Sequence, residues 1–469
     1  MKTAFSIAIA LILLGCTSLA APSVHAQAQD DNAKIMEGLY TKIAQSLTVG
    51  TNTPAAGKSI LILANPGIAI DPALNPAASQ DDRRAISRVL DRVPGPSWIY
   101  QETTFSISSV YGNILQNHEL PDPKITAKQK QDLQAVDVTL FKNGDPANGE
   151  SDKLKAYKNY RATYQDAVNA VEVNRAANGS VPPKYIQARQ GALQDWQNLG
   201  FKNEIETDLA KRDSLTSLDP NFWFQQLSNA YTVFQESPGT PDQFEPVGLY
   251  PAYASWSTLK GWATITLSAD EIHNLSTSDH TSVGGSVGVG YGLFSFNAGA
   301  SHDTTDQHTH SNVKVSNIKM ELLRVSIDRS WLEGLIFRSK IWRWSQDAPL
   351  GSKLISDGAT PPGSNTTDVI MPYVPTAILV SRNVEISGQV SDVDTTFHND
   401  HTSASGSLGW GPFAIGGHYE EDHTRNTFDA KIDANGITIP GYQIIGWYCE
   451  VLPKSPDPDL VNYKWPSKP

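Results

Sequence analysis

Cysteine is nearly absent from this chain: 469 residues hold two, Cys16 and Cys449. Cys16 falls in the leader read below, so no intramolecular disulfide can form, and the fold must rest on its core. Roughly 440 residues suffice for that, in two or three domains. Long apolar runs are also missing. Past the leader, nothing reaches the roughly 18 consecutive apolar residues of a transmembrane helix. Cationic excess is missing too. Lys and Arg number 37 against 49 Asp and Glu, a net charge of −12. That argues against nucleic acid as a partner and against adsorption to anionic lipid through charge alone. No H-E-x-x-H, no phosphate loop and no G-x-G-x-x-G opening a helix occurs. No residue is therefore assigned a catalytic role, and an enzyme ranks last among the readings.

The chain opens with Met1-Lys2, an apolar stretch from Ala4 to Leu14, and small residues down to Ala26. This is the pattern of a secretory signal peptide over 1–26. Two processing sites compete. Val24-His25-Ala26 has small residues at both positions a signal peptidase reads. Leu13-Leu14-Gly15-Cys16 resembles a lipoprotein lipobox, which makes Cys16 the candidate for lipidation. Either way the protein is expected to be exported: secreted, periplasmic, or lipid-anchored at an outer membrane.

From 31 to 237 the pattern is mainly helical. Ile35, Leu39, Ile43 and Leu47 recur every four residues, and Leu154, Tyr157, Tyr160, Tyr164, Val168 and Val171 trace one helical stripe. One exception, Ile60-Leu61-Ile62-Leu63 before Asn65-Pro66-Gly67, reads as a short buried strand ending in a turn. Ser237-Pro238-Gly239-Thr240-Pro241-Asp242 breaks the pattern, after which the period becomes two, as from Trp262 to Leu267 and from Val384 to Ile386. The expected fold class is α+β: a helical N-terminal domain followed by an antiparallel β domain of two related strand–hairpin–strand units. Unit one spans 243–356 with its hairpin at 281–301. Unit two spans 367–453 with its hairpin at 402–419, and a Pro-rich tail occupies 454–469.

The relation between the units is the most specific signal. Asp279-His280-Thr281-Ser282 leads into Val283-Gly284-Gly285-Ser286-Val287-Gly288-Val289-Gly290. Asp400-His401-Thr402-Ser403 leads into Ala404-Ser405-Gly406-Ser407-Leu408-Gly409-Trp410-Gly411, in the same register. A turn follows in each copy, then Phe294-Ser295-Phe296 or Phe413-Ala414-Ile415, then an Asp/His-rich stretch. Gly284-Gly285-Ser286-Val287-Gly288 formally matches the nucleophile elbow G-x-S-x-G. The elbow needs a helix after its turn, whereas this pattern continues as Gly-rich strand.

Alternation puts Val283, Val287, Val289 and Tyr291 on one face of the first copy, with Phe294 and Phe296 on the return strand. Leu408, Trp410, Phe413 and Ile415 are their counterparts. Ser and Gly fill the opposite face, and charge is confined to the base. The strands, about nine to eleven residues long, match a tilted crossing of a hydrocarbon core. In this pattern, over about 60 residues, the hairpins resemble the stems of β-pore-forming toxins. Unpaired strand edges cannot face lipid, and four strands are too few to close a barrel. The resemblance therefore implies a homo-oligomer, with membrane lipid and further copies of the chain as partners. The competing reading is a soluble binding or envelope-structural protein whose hairpins lie on an ordinary core.

Nine of the eleven histidines lie between His273 and His423. His280, His302, His308, His310, His398, His401, His418 and His423 crowd the hairpin bases, with Asp400 among them. His398-Asn399-Asp400 with a later histidine has the spacing of a two-His-one-carboxylate metal triad, the basis of the third reading, a His/Asp metal enzyme. No other cofactor is implied. The same histidines, titrating near pH 6, also fit a switch that frees the hairpins on acidification. Cys449, beside Trp447, Tyr448 and Val451, reads as a buried, inert thiol.

Overall fold

The structure is a computed structural model that describes residues 24–46, 59–122, 127–178, 181–216, 220–273, 294–297, 305–308, 314–360, 368–390, 407–418 and 427–466. In chain order the helices are α1 (Val24–Ser46), α2 (Gln80–Leu90), α3 (Ile107–Gln116), α4 (Ala127–Leu140), α5 (Asp152–Asn178), α6 (Pro183–Asn198), α7 (Lys202–Thr216), α8 (Pro220–Phe234) and α9 (Ala269–His273). The strands begin with β1 (Ser59–Ile70), β2 (Arg92–Pro94), β3 (Glu102–Ser106), β4 (His118–Glu119), β5 (Gly248–Tyr250), β6 (Ala263–Ser268), β7 (Phe294–Asn297) and β8 (Thr305–His308). They continue with β9 (Lys314–Asp328), β10 (Arg343–Trp344), β11 (Tyr373–Gln389), β12 (Ser407–Trp410), β13 (Phe413–His418), β14 (Thr427–Asp429), β15 (Lys431–Asp433), β16 (Gly436–Ile439) and β17 (Tyr442–Val451). The class is mixed α+β with antiparallel sheets.

The main sheet runs β6–β9–β11–β17–β1. β5 follows β6 along one edge of β9, β16 precedes β17 along the far edge of β11, and β15 pairs outside β16. β-branched residues favour these long strands. In β11, Pro375 stands beside a register shift, a place in a strand where proline is tolerated. The alternation read from sequence is present in β6, where Ile265 and Leu267 are buried between exposed Thr264 and Thr266. It is present again at Val384 and Ile386, buried on either side of exposed Glu385.

The 31–237 stretch is not made of helices alone. Its Ile60–Leu63 run is fully buried, and β1 continues past Asn65-Pro66, through a bulge, to Ile70. β1 pairs antiparallel with β17, far away in sequence. α1 lies in the same core through Met36, Leu39, Tyr40 and Ile43, with the Tyr40 hydroxyl donating to Leu61 O at 3.2 Å. α3 and α8 share a second core with Trp331, Phe337 and Trp342, so chain on both sides of residue 237 builds it. Leu154 and Tyr157 of the α5 stripe are buried against Trp196 and Ile205 in a third. The tail is tied down: Ile355 N donates to Ser455 O at 2.7 Å, and Asp122 N to Lys464 O at 2.9 Å.

Buried polar groups fasten the helices. Arg212 donates to Asp137 at 2.7 Å and to Gln226 at 2.9 Å, and Gln226 donates back to Asp137 at 3.1 Å. Arg329 donates to Pro375 O and Leu90 O, both at 2.6 Å. Asp91, at the end of α2, accepts from the Ser108 amide at 2.9 Å and from the Ser108 hydroxyl, stitching α2 to the first turn of α3. Burial pushes the Asp91 carboxyl up to about 6, against the lowering effect of Ser108 and Arg329.

Candidate functional site

Register fixes where the two inserts leave the main sheet. Ser268 of β6 is opposite Asn317 of β9, Asn317 is opposite Ser387 of β11, and Ser387 is opposite Gly436 of β16. These four residues form one row across the sheet. Segment 269–313 departs between β6 and β9, and segment 390–430 between β11 and β15. Both therefore leave from the same end, and they are of nearly equal length. Each contains one copy of the repeat.

Five strands of the two inserts meet in a second sheet, ordered β14–β13–β12–β7–β8. β12 and β13 form the second hairpin, turning at Gly411-Pro412 between Trp410 and Phe413. On its other edge β12 pairs with β7 of the first copy, Trp410 opposite Phe294 and Ser407 opposite Asn297. β7 pairs in turn with β8. Both edges of β7 are thus occupied, one by β8 of its own insert and one by the other copy, so β7 is not the return strand of a hairpin over 281–301 as the sequence suggested: alternation fixes a strand's face and not its partner.

The second hairpin lies on the core. Leu408, Trp410, Phe413 and Ile415 are each 0% exposed, and all of 408–417 is buried. Both faces are covered, the Gly/Ala face as well as the aromatic one. Small residues let the backbone come close: a Cβ on Gly67 of β1 would lie 2.7 Å from Pro412 O and 2.8 Å from Ile444 O. Gly411 has φ +53, a conformation that glycine adopts without penalty, and the Met36 side chain of α1 fills the space beside it. The buried Gln443 side chain accepts from Ala414 N at 2.7 Å, a polar tie between β17 and the hairpin. Residues 407–417 carry no charge.

α1 touches the first insert as well. Lys42 pairs at 2.6 Å with Glu271 of α9, the opening turn of that insert. Glu271 also accepts from Ser268 N at 2.9 Å, and these contacts hold its carboxyl below the usual range. One helix therefore contacts the root of insert one and the turn of insert two. Sequence reading missed this arrangement; the four-residue period of α1 marks a buried stripe without naming its neighbours.

Of the residues singled out from sequence, Phe294 and Phe296 lie on β7, His308 on β8 and His418 on β13. β13 pairs with β14 at His418 opposite Thr427. Val283, Val287, Val289, Tyr291, His280, His302, His310, His398, Asp400, His401, His423 and Cys16 lie outside the described residues. Among the described residues no three of His, Cys, Asp and Glu gather as a metal-binding group, and no helix is long and apolar enough to cross a membrane. Cys449 is buried, and burial raises its thiol pKa.

Comparison of the chain with protein-family models, with curated proteins and with solved structures finds no match.

Proposed function

We propose that this is an exported, membrane-permeabilising protein that acts as a homo-oligomer, its two inserts opening into β-hairpins that continue the main sheet into lipid. The observation that carries the reading is the common row at Ser268, Asn317, Ser387 and Gly436, from which two inserts of similar length with repeated uncharged centres emerge side by side. On this reading 243–356 and 367–453 are the two related units, and 31–237 is the helical domain packed against them.

Lengths and charge support it. Drawn out as a ribbon, each insert has arms of about 20 residues, or about 65 Å at 3.3 Å per residue. A tilted strand needs only about 10 residues to cross a core about 30 Å thick. The 281–301 and 402–417 centres contain no Asp, Glu, Lys, Arg or His. They would occupy the hydrocarbon while the Asp/His stretches remain at its border. The second copy's return arm is the shorter one, reaching His418 directly after Gly417.

Energetics are compatible with such a transfer. Exposing Leu408, Trp410, Phe413 and Ile415 to water would cost about 6–12 kcal/mol at the usual value per buried apolar side chain. Moving them from a protein core into lipid costs far less, because acyl chains are as apolar as leucine. A charge on this surface changes that balance by about 2–4 kcal/mol per strand at the bilayer centre.

Release of a trapped dye from liposomes is the test. The mature chain is expected to release dye, and Val287→Asp to lower release at least tenfold with its melting temperature unchanged. Release unaffected by Val287→Asp would overturn insertion of the first hairpin. Comparing pH 5.5 with 7.5 tests the histidine switch, which predicts faster release at the lower pH. Mass spectrometry of the exported chain separates a lipidated Cys16 from cleavage after Ala26.

The second reading is a soluble binding or envelope-structural protein. The complete burial of 408–417 favours it. It predicts no dye release and a monomer whose hairpins stay protease-resistant in the presence of liposomes.

A further inference from the structure

Toward the other end of the main sheet, a cleft of about 860 Å³ opens between α5 and the β9 and β17 strands. Its volume falls within the roughly 300–1,000 Å³ typical of small-molecule sites. The wall has an unusual charge balance. Lys142, Lys155, Lys158, Arg161 and Arg324 all line it, in a chain whose net charge is −12.

The three acids that line the cleft are all engaged. Glu150 and Asp328 both pair with Lys158, and Glu450 pairs with Arg338. Lys142, Lys155 and Arg161 have no ion-pair partner among the described residues. Arg324 rises mid-strand from β9, its guanidinium 4.0 Å above the Tyr448 ring, with Asp166 as the acid that acts on it. Its Nε is buried without a hydrogen-bond partner.

Lys155 and Arg161 project from α5 on either side of Lys158, whose charge Glu150 and Asp328 already balance, and the buried Arg324 Nε lacks an acceptor. A multiply charged oxyanion would meet both the unpaired cations and that N–H. Arg324 is suited to the task, because stacking on Tyr448 holds its planar fork ready for two parallel bonds.

We propose that the cleft binds a phosphorylated ligand, its phosphate held by Arg324 and its remaining charge neutralised by Lys142, Lys155 and Arg161. Phosphate fits better than a single carboxylate, since Lys142, Lys155 and Arg161 have no ion-pair partner among the described residues and Arg324 has only Asp166 acting on it, a surplus that one negative charge does not balance. The site lies well away from the inserts. Asn317, in the row at the insert end, and Arg324 are seven residues apart on β9, or about 23 Å. The cleft therefore does not share a level with any membrane the inserts enter, and its test does not depend on the membrane reading.

The experiment is calorimetric titration of the full mature chain with pyrophosphate, against sulfate at matched ionic strength. Saturable binding below 100 µM (on the order of 5–6 kcal/mol) is expected, with a preference for pyrophosphate. Arg324→Gln should weaken it at least tenfold, and Lys155→Gln or Arg161→Gln three- to tenfold each. Lys184→Gln, on α6 and outside the cleft lining, should leave it unchanged. If Arg324→Gln fails to fold, the exposed pair Lys155→Glu with Arg161→Glu takes its place and must abolish binding. Vesicles of phosphatidylcholine with or without phosphatidate, competed with pyrophosphate, separate a lipid-borne phosphate from a free one. Absence of binding, equal binding of sulfate, or affinity that survives these substitutions would overturn the proposal.

Discussion

The body of the molecule and the second hairpin share one apolar core and differ in buried charge. In the body, buried charges sit in bonds of fixed geometry: Arg212 with Asp137 and Gln226, Arg329 with two carbonyls, Asp91 with Ser108. In the second hairpin the buried surface is Leu408, Trp410, Phe413, Ala414, Ile415 and glycine. Its strands are four and six residues long, against fifteen and seventeen for β9 and β11. A desolvated ion pair cannot be moved elsewhere without losing its partner. An apolar surface can be moved to any other apolar surface at little cost. On the proposed reading, the hairpin is the part of this fold that changes neighbours, and the body is the part that stays.

The sharpest way to break that comparison is to damage each side. Asp137→Ala takes the 2.7 Å partner from the buried Arg212 and leaves it the longer 3.8 Å pairing with Glu333, and should lower stability by about 3 kcal/mol in denaturant unfolding. Trp410→Phe keeps the apolar ring and removes an indole N–H that is buried without a partner, so a cost below about 1.5 kcal/mol is expected. Equal losses from the two substitutions would show that the hairpin is as specifically fixed as the body.

A pH titration comes next in size. The Asp91 carboxyl is raised to about 6 by burial. Between about pH 4 and 6 the folded chain then holds a proton that the unfolded chain has released. The stability from this group is complete below pH 4 and declines as pH rises to 6, by up to about 3 kcal/mol. Asp91→Asn should flatten this window. Residues 407–417 contain no titratable group, so amide exchange there should follow the window only as far as global unfolding does. A slope unchanged by Asp91→Asn would mean that the drop in stability arises elsewhere.

Much of this contrast was legible in the sequence, and its limits are physical. The Ile60–Leu63 strand, the alternation in β6, the α5 stripe and the turn after Trp410 follow from local periodicity and glycine placement. Partners do not. Nothing in Ser59–Ile70 specifies β17, and the repeat gives no sign that β7 would pair with β12 across copies, since period two fixes a face and never a neighbour. The charge-free hairpin surface could be read, but not that both its faces are covered. The cleft was invisible for the same reason: Lys142, Lys155, Arg161 and Arg324 are scattered over almost two hundred residues and meet only when α5 lies across the sheet.

The turn itself offers a smaller test. Gly411→Ala forces a side chain into φ +53 and against Met36, and should cost about 1–2 kcal/mol. Met36→Ala in the same chain removes the collision and leaves the backbone strain, so the double variant should lose less than the two singles added together. Strict additivity in thermal unfolding would mean that α1 does not press on the turn.

The smallest expected effect on stability bears most directly on the clamp formed by α1. Lys42 and Glu271 are partly exposed, so Lys42→Ala should change stability by less than about 1 kcal/mol. Its effect on the inserts need not be small. If the pair fastens α9 to α1, its loss frees the root of insert one while the hydrophobic contacts of α1 remain. Dye release should then begin sooner at an unchanged melting temperature, and Lys42→Arg, which keeps the charge, should restore the delay. A shortened delay with unchanged stability belongs to a latch. A parallel fall in both would make Lys42 one more weak surface contact and return α1 to the body.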